Sequence, residues 1–114
     1  MYKVLNQDNE TVAYIQNMMI LNKKREKVIG LVIGDCFFGN DDKVIGKIID
    51  HKVYLVNGDI IGTIETNKDK KEPEPKKGLI LEAWEILSNI KSHTSDWITI
   101  SKKWSKKSFI EVLL

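Results

Sequence analysis

The sequence predicts a mainly β fold: four β-hairpins at a 16-residue period, followed by a charged linker and a short α-helical tail. Three observations carry this reading. Val12, Val28, Val44 and Ile60 recur sixteen residues apart, with Ala13, Ile29, Ile45 and Ile61 in the next column. Polar, turn-forming clusters fall between the apolar blocks at Asp8-Asn9-Glu10, Lys24-Arg25-Glu26, Asn40-Asp41-Asp42 and Asn57-Gly58. The pattern stops at Thr66, where a charged, proline-containing stretch begins. Repetition at a fixed short period is the mark of a stacked supersecondary unit.

Each unit reads as short strand, tight turn, short strand, link. The first strands align Leu5, Leu21, Phe37 and Val53, preceded by Val4, Ile20 and Cys36, with Lys52 as the departure. Asn57-Gly58 has the residue types of a type I′ turn, in which both central residues need φ > 0. The other three turns lack glycine and are expected to be longer or bulged. β-branched and aromatic residues flank the turns, as pleated surfaces favour.

A third column holds Tyr14, Gly30, Gly46 and Gly62. Glycine inside a strand weakens it and marks a bend, bulge or close backbone approach. Gly30, Gly46 and Gly62 are therefore expected to meet one structural need that Tyr14 solves differently, and Val12, Val28, Val44 and Ile60 to occupy equivalent sites about one axis. Strand alternation places Val12, Val28, Gly30, Val32, Val44, Ile48, Ile60 and Ile64 on one face. Ala13, Ile15, Ile29, Leu31, Ile33, Ile45, Ile49 and Ile61 fall on the other. Both faces are apolar, so the sheet must close, stack or be covered.

The stretches Thr11-Val12-Ala13-Tyr14-Ile15, Lys27-Val28-Ile29-Gly30-Leu31, Lys43-Val44-Ile45-Gly46-Lys47 and Asp59-Ile60-Ile61-Gly62-Thr63 resemble the four-fold β-flower family of small bacterial proteins. The resemblance covers residues 2–66. It implies a shallow pseudo-four-fold barrel with hairpins as petals around an apolar centre. It brings no catalytic residues with it. Val44-Ile45-Gly46-Lys47-Ile48-Ile49-Asp50 also resembles a PRC-barrel-like module, which does not account for the 16-residue period.

Three segments follow: residues 1–66 as the four-hairpin β-domain, 67–78 as linker and 79–114 as helical tail. The linker, NKDKKEPEPKKG, has no apolar side chain apart from its two prolines, and Glu-Pro-Glu-Pro favours an extended spacer. Leu79–Ser92 reads as an amphipathic helix with Leu79, Ile80, Ala83, Trp84, Ile86, Leu87 and Ile90 in one stripe. Trp84 and Leu87 are expected to pack on the ring or on a second copy. His93–Asp96 breaks the helix. Ser108-Phe109-Ile110-Glu111 is a capping-box pattern that opens the last apolar run.

Charge excludes little. The formal net charge is +2, and residues 1–66 carry eight basic and nine acidic side chains. A neutral body argues against a nucleic-acid partner. Cys36 is the single cysteine, so no intramolecular disulfide can form. No signal peptide or membrane-spanning run is read, and the expected location is cytoplasmic.

Candidate chemistry is sparse. His93, Ser95 and Asp96 contain the residue types of a hydrolase triad, but neighbours in one loop rarely reach triad geometry, and helix breaking explains them better. Ser88-x-x-Lys91 lacks its companion motifs. Asp35, Cys36 and His51 lack metal-ligand spacing, so neither a metal nor another cofactor is expected. Phe38 and Tyr54 share a column in which the first two repeats have Asn6 and Asn22, and they could stack a ring, although core packing is the simpler role. Lys102, Lys103, Trp104, Lys106 and Lys107 could meet a partner, an anionic surface or phosphates, against the plain alternative of a solvated face. The expected function is a non-enzymatic binding module holding a small ligand or a protein partner, with a homodimer open. Alternatives are a peripheral membrane-surface adaptor working through the Lys/Trp-rich tail, and a nucleotide-sequestering protein.

Overall fold

The computed structural model describes residues 1–39, 42–66, 76–90 and 97–113. Eight strands form one closed antiparallel barrel: β1 (Tyr2–Leu5), β2 (Thr11–Gln16), β3 (Met19–Asn22), β4 (Val28–Ile33), β5 (Cys36–Phe38), β6 (Val44–Ile49), β7 (Lys52–Leu55) and β8 (Ile60–Thr66). Two helices follow, α1 (Lys77–Ser88) and α2 (Phe109–Leu113). β1 closes the ring on β8, with Tyr2 opposite Thr66, so the first and last hairpins meet as the pattern requires.

Two kinds of turn alternate round the ring. The links expected between hairpins are the tightest turns. Asn17-Met18, Gly34-Asp35 and Asp50-His51 each join two strands through two residues. Asp50 and His51 both take positive φ, 49° and 64°, as a type I′ turn demands. Asn57-Gly58 is not such a turn. It lies in a longer loop where the Gly58 N–H donates to the Leu55 carbonyl and only Gly58 has positive φ, 92°. The same construction recurs at Asn6–Glu10, with Asn9 at φ 61° and its N–H donating to the Asn6 carbonyl. Sequence reading missed the tight turns because aspartate, asparagine and histidine reach φ > 0 at less cost than most non-glycine residues.

The pairing register corrects the columns. Four register shifts mark four bulges, where Leu5, Leu21, Phe38 and Tyr54 stand opposite Thr11, Val28, Val44 and Ile60. The next pairs inward are Val4 with Ala13, Ile20 with Gly30, Phe37 with Gly46 and Val53 with Gly62. The small-residue column is therefore Ala13, Gly30, Gly46, Gly62, and Tyr14 does not belong to it. Likewise Thr11, not Val12, is the register equivalent of Val28, Val44 and Ile60. The cause is one extra residue in the β3–β4 turn. Six residues separate Leu21 from Val28, whereas five separate the corresponding pair in each of the other hairpins. Deleting Glu26 should give this turn the common length while keeping Arg25 (φ 58°) in the position of Asn9 and Gly58. The melting temperature of that variant is expected to stay within a few degrees of the parent. A deletion of Asp8, which shortens a turn already at the common length, should lower it markedly.

The bulges also overturn simple alternation between faces. Val12, Ile29, Ile45 and Ile61 are the extra residues, and all four join the same cluster as Val4, Ile15, Ile20, Val32, Phe37, Ile48, Val53 and Ile64. That cluster fills the barrel. A bulge keeps two successive side chains on nearly the same side, so the interior holds more apolar volume than an alternating strand could supply. The small column makes room for it. A Cβ on Gly46 would strike the Tyr54 carbonyl and come within 2.7 Å of the Phe37 ring, and one on Gly30 would strike the Phe38 carbonyl.

The tail completes the core at two places. α2 closes the mouth of the barrel. Phe109 and Leu113 are buried in the interior cluster, the Phe109 ring lies 5.7 Å from that of Phe37, and the Leu113 carbonyl lies 2.7 Å from where a Gly39 Cβ would be. Its capping box forms as the sequence implies: Ser108 Oγ accepts from the Glu111 N–H at 3.2 Å, and Glu111 Oε1 accepts from the Ser108 N–H at 3.2 Å. α1 covers the outer wall instead. Leu79 and Ile86, with Ala83, Leu87 and Ile90 beside them, pack on Met19, Leu21, Val28 and Leu31. Between the helices, residues 99–105 run along the β7–β8 loop. Ser101 N–H donates to the Gly58 carbonyl, Ile60 N–H to the Lys103 carbonyl and Ser105 N–H to the Ile60 carbonyl. Trp104 thereby forms a parallel bridge with Ile60, on the flank of β8 that lies beyond the end of β1.

Candidate functional site

The residues singled out by sequence separate into three places. Phe38 and Tyr54 are buried, at 0 % and 5 % exposure, so neither offers a ring face to a ligand. The extra residue in the β3–β4 turn explains the misplacement: Phe38 and Tyr54 are equivalent to Leu5 and Leu21, not to the turn-forming Asn6 and Asn22. Asn6 and Asn22 instead organise their loops, their Oδ1 atoms accepting from Asp8 and Glu10 and from Glu26 and Lys27. Gly30, Gly46 and Gly62 are buried in the barrel wall, as are Val28 and Ile60, while Val12 and Val44 are half-buried.

The lysine-tryptophan segment is held against the barrel. Lys102, Lys103, Lys106 and Lys107 are exposed, while Trp104 is half-buried and its main chain is bridged to Ile60, so only part of the indole is accessible beside its lysines. Lys107 borders a cavity of about 530 Å³ between α2 and the β6–β7 side of the mouth, whose lining also holds Lys43 and Asn57. His93, Ser95, Asp96 and Lys91 lie outside the described residues. Among the described residues no cluster of three His, Cys, Asp or Glu side chains could hold a metal, and no helix is long and apolar enough to cross a membrane. Lys47 is buried on the strand next to Cys36 and pairs with Asp35 at 3.6 Å.

The third place is α1, and here the structure departs from the expected packing. The helix turns Leu79, Ala83, Ile86 and Ile90 inward, which is a narrower stripe than the sequence suggested. Leu87 packs at its edge. Trp84 does not follow it inward and remains 64 % exposed, beside Leu81 at 61 % and Ile80 at 40 %. At 100° per residue, Trp84 lies about 140° round the helix from Leu79, so its ring stays at the rim of the contact with the β3–β4 wall. Met18, at the tip of the β2–β3 turn, is 47 % exposed. Met18, Ile80 and Trp84 edge an almost wholly apolar groove of about 360 Å³, with Met19, Leu31, Ala83 and Leu87 among its lining; Leu81 lies outside it, on the outer face of the helix. The other flank of α1 is polar, with Glu82 and Glu85 sharing a separate cleft with Lys27.

The charges of α1 run against its own dipole. Lys76 caps it without a side-chain hydrogen bond and Lys77 opens it, while its first turn holds no acid and its last no base. Positive charge at a helix N-terminus is unfavourable by several tenths of a kcal/mol, up to about 1 kcal/mol at low salt. The sequence signal for this surface was present in Leu81, an apolar residue on the side opposite the stripe, but a single such residue is ordinary on protein surfaces. Met18, standing beside Ile80 and Trp84, turns the neighbouring side of the helix into a patch. Comparison with known proteins finds no matching family model, no matching curated protein and no matching solved structure.

Proposed function

We propose that this protein is a non-enzymatic interaction module that engages a protein partner through the α1 groove. The observation that carries the reading is the exposure of Met18, Ile80 and Trp84 round one apolar cleft, with Leu81 exposed on the outer face of the same helix. Large exposed apolar side chains that converge on a groove are characteristic of interaction sites, and tryptophan is prominent among binding hot spots. The barrel serves as a rigid mount: its strands close on themselves, and α1 is fixed to it through Leu79 and Ile86. The resemblance to the four-fold β-flower family stays part of the proposal, supported by the closed ring of hairpins.

Native mass spectrometry of the protein from its own host, with and without Leu81→Asp and Trp84→Asp, tests the reading. Both sites are exposed, so the melting temperature should hold within a few degrees. The parent is expected to carry a protein partner that the double variant loses. Retention of the same species by both proteins, or a small molecule alone on each, would place function elsewhere, with the cavity bordered by Lys43 and Lys107 next in line.

A further inference from the structure

The exposed face of α1 has an internal symmetry of charge and apolarity. Leu81 sits near its middle. Four residues before it stands Lys77 and four after it Glu85, about 6 Å away on either side along the axis at 1.5 Å per residue. All three are exposed, as is Trp84. A helix that carries a base at one end of its exposed face, an acid at the other and an apolar residue between them is complementary to itself when reversed. Within its own chain this arrangement is unfavourable, because Lys77 lies at the positive end of the helix dipole.

We infer that the occupant of this surface is a second copy of the chain, with the two α1 helices packed antiparallel about a two-fold axis near Leu81. The inference rests on the interaction-module reading above and names the partner for it. A two-fold interface is isologous, so each contact occurs twice. Leu81 then meets Leu81 of the second copy. Lys77 lies beside Trp84 and within side-chain reach of Glu85 of the other helix, which gives the ammonium both a ring face and a carboxylate. The positive end of each helix dipole also meets the negative end of the other. Gly78 is exposed with open space beside it, so no part of the same chain stands in the way of this approach. Met18 extends the contact from the β2–β3 turn, next to Trp84.

A charge-swap series on the full chain tests this, with solution mass and dimer dissociation constant read by sedimentation. The parent is expected to be a dimer at micromolar concentration. Lys77→Glu and Glu85→Lys should each weaken the dimer about tenfold, since each places two like-charge pairs at the interface. The double variant should recover most of the loss, because an acid at the first position again faces a base at the second across the two copies. Leu81→Asp should be monomeric and folded, with a melting temperature equal to that of the parent diluted below its dimer dissociation constant. A parent that stays monomeric at high micromolar concentration overturns the inference, as does a dimer insensitive to Leu81→Asp. Failure of the double variant to recover overturns the antiparallel geometry, because only two copies of this helix can compensate in that way. If the parent is monomeric yet still loses a different protein on Leu81→Asp and Trp84→Asp substitution, the second copy is wrong and the interaction-module reading stands.

Discussion

Gly46→Val is expected to unfold the barrel. Even the first atom of the new side chain would strike the Tyr54 carbonyl and press on the Phe37 ring, which is itself fully buried. The obstacle is backbone, so no rotamer change relieves it, and β6 would have to leave its register with β7 and β5. Overpacking a tight core typically costs about 1–3 kcal/mol when side chains can yield. Here the cost should exceed that range, within a total stability of roughly 5–15 kcal/mol for a domain. Urea unfolding should show loss of most or all of the stability. The matching control is Ala13→Gly, at the register-equivalent site in the first hairpin. That position already accepts a Cβ, so the change should cost only about 1 kcal/mol through chain entropy. Equal effects at the two sites would show that the close approach at Gly46 is not what its glycine serves.

Phe109→Ala should come second in size. Its ring is 3 % exposed at the mouth of the barrel, against Phe37 and within the cluster containing Ile29 and Ile61. Removing a buried phenylalanine costs about 3–5 kcal/mol, transfer and cavity together. A change of the same chemistry at Phe38, also fully buried, gives the comparison for a site in the barrel wall. The position of α2 bears on how the tail behaves when the chain is cut. Trypsin acting within residues 68–77 should leave two fragments that stay associated, because α2 fills the mouth and α1 covers the β3–β4 wall. Gel filtration of the nicked protein without denaturant checks this. Separation of the fragments would mean that neither helix belongs to the core.

The fold class was legible because it depends on period and composition. Apolar columns sixteen residues apart announce hairpins of one design, and two apolar faces announce closure. What the columns could not show was a one-residue insertion. A column of apolar residues looks the same whether it is shifted by one position or not, since Val12 and Thr11, or Phe37 and Phe38, all suit a strand. The register decides between them, and only the glycines hinted at it: Tyr14 was the misfit, and Ala13 beside it was the small residue the site required. The capping box at Ser108 was legible because it is local. The places where the helices dock were not, because the apolar stripe of α1 and the run at Phe109–Leu113 are alike in character, and which of them closes the mouth depends on three-dimensional reach. The same holds for the groove. Met18 and Trp84 are far apart in sequence, and neither alone says that they border one cleft.

Closure of the ring has a bearing on how this protein can be recognised. A sheet with a free edge invites an extended peptide to join it, main chain to main chain, with little regard for sequence. Among the described strands every one is paired to a neighbour on each side, and the flank of β8 at Ile60 is taken by the chain's own residues 103–105. The outward edge of that short segment is guarded by Lys102 and Lys103, whose charges discourage strand addition. Recognition through a shared sheet is thereby confined to the short flanks where one strand runs past the end of its neighbour, as β4 does at Val28–Gly30, and among the described strands no full-length edge is left for fibrous association. A partner for this barrel therefore finds mainly side chains to read, and selectivity follows from that: a shape and a charge pattern can be matched or refused, whereas a backbone edge accepts nearly any strand.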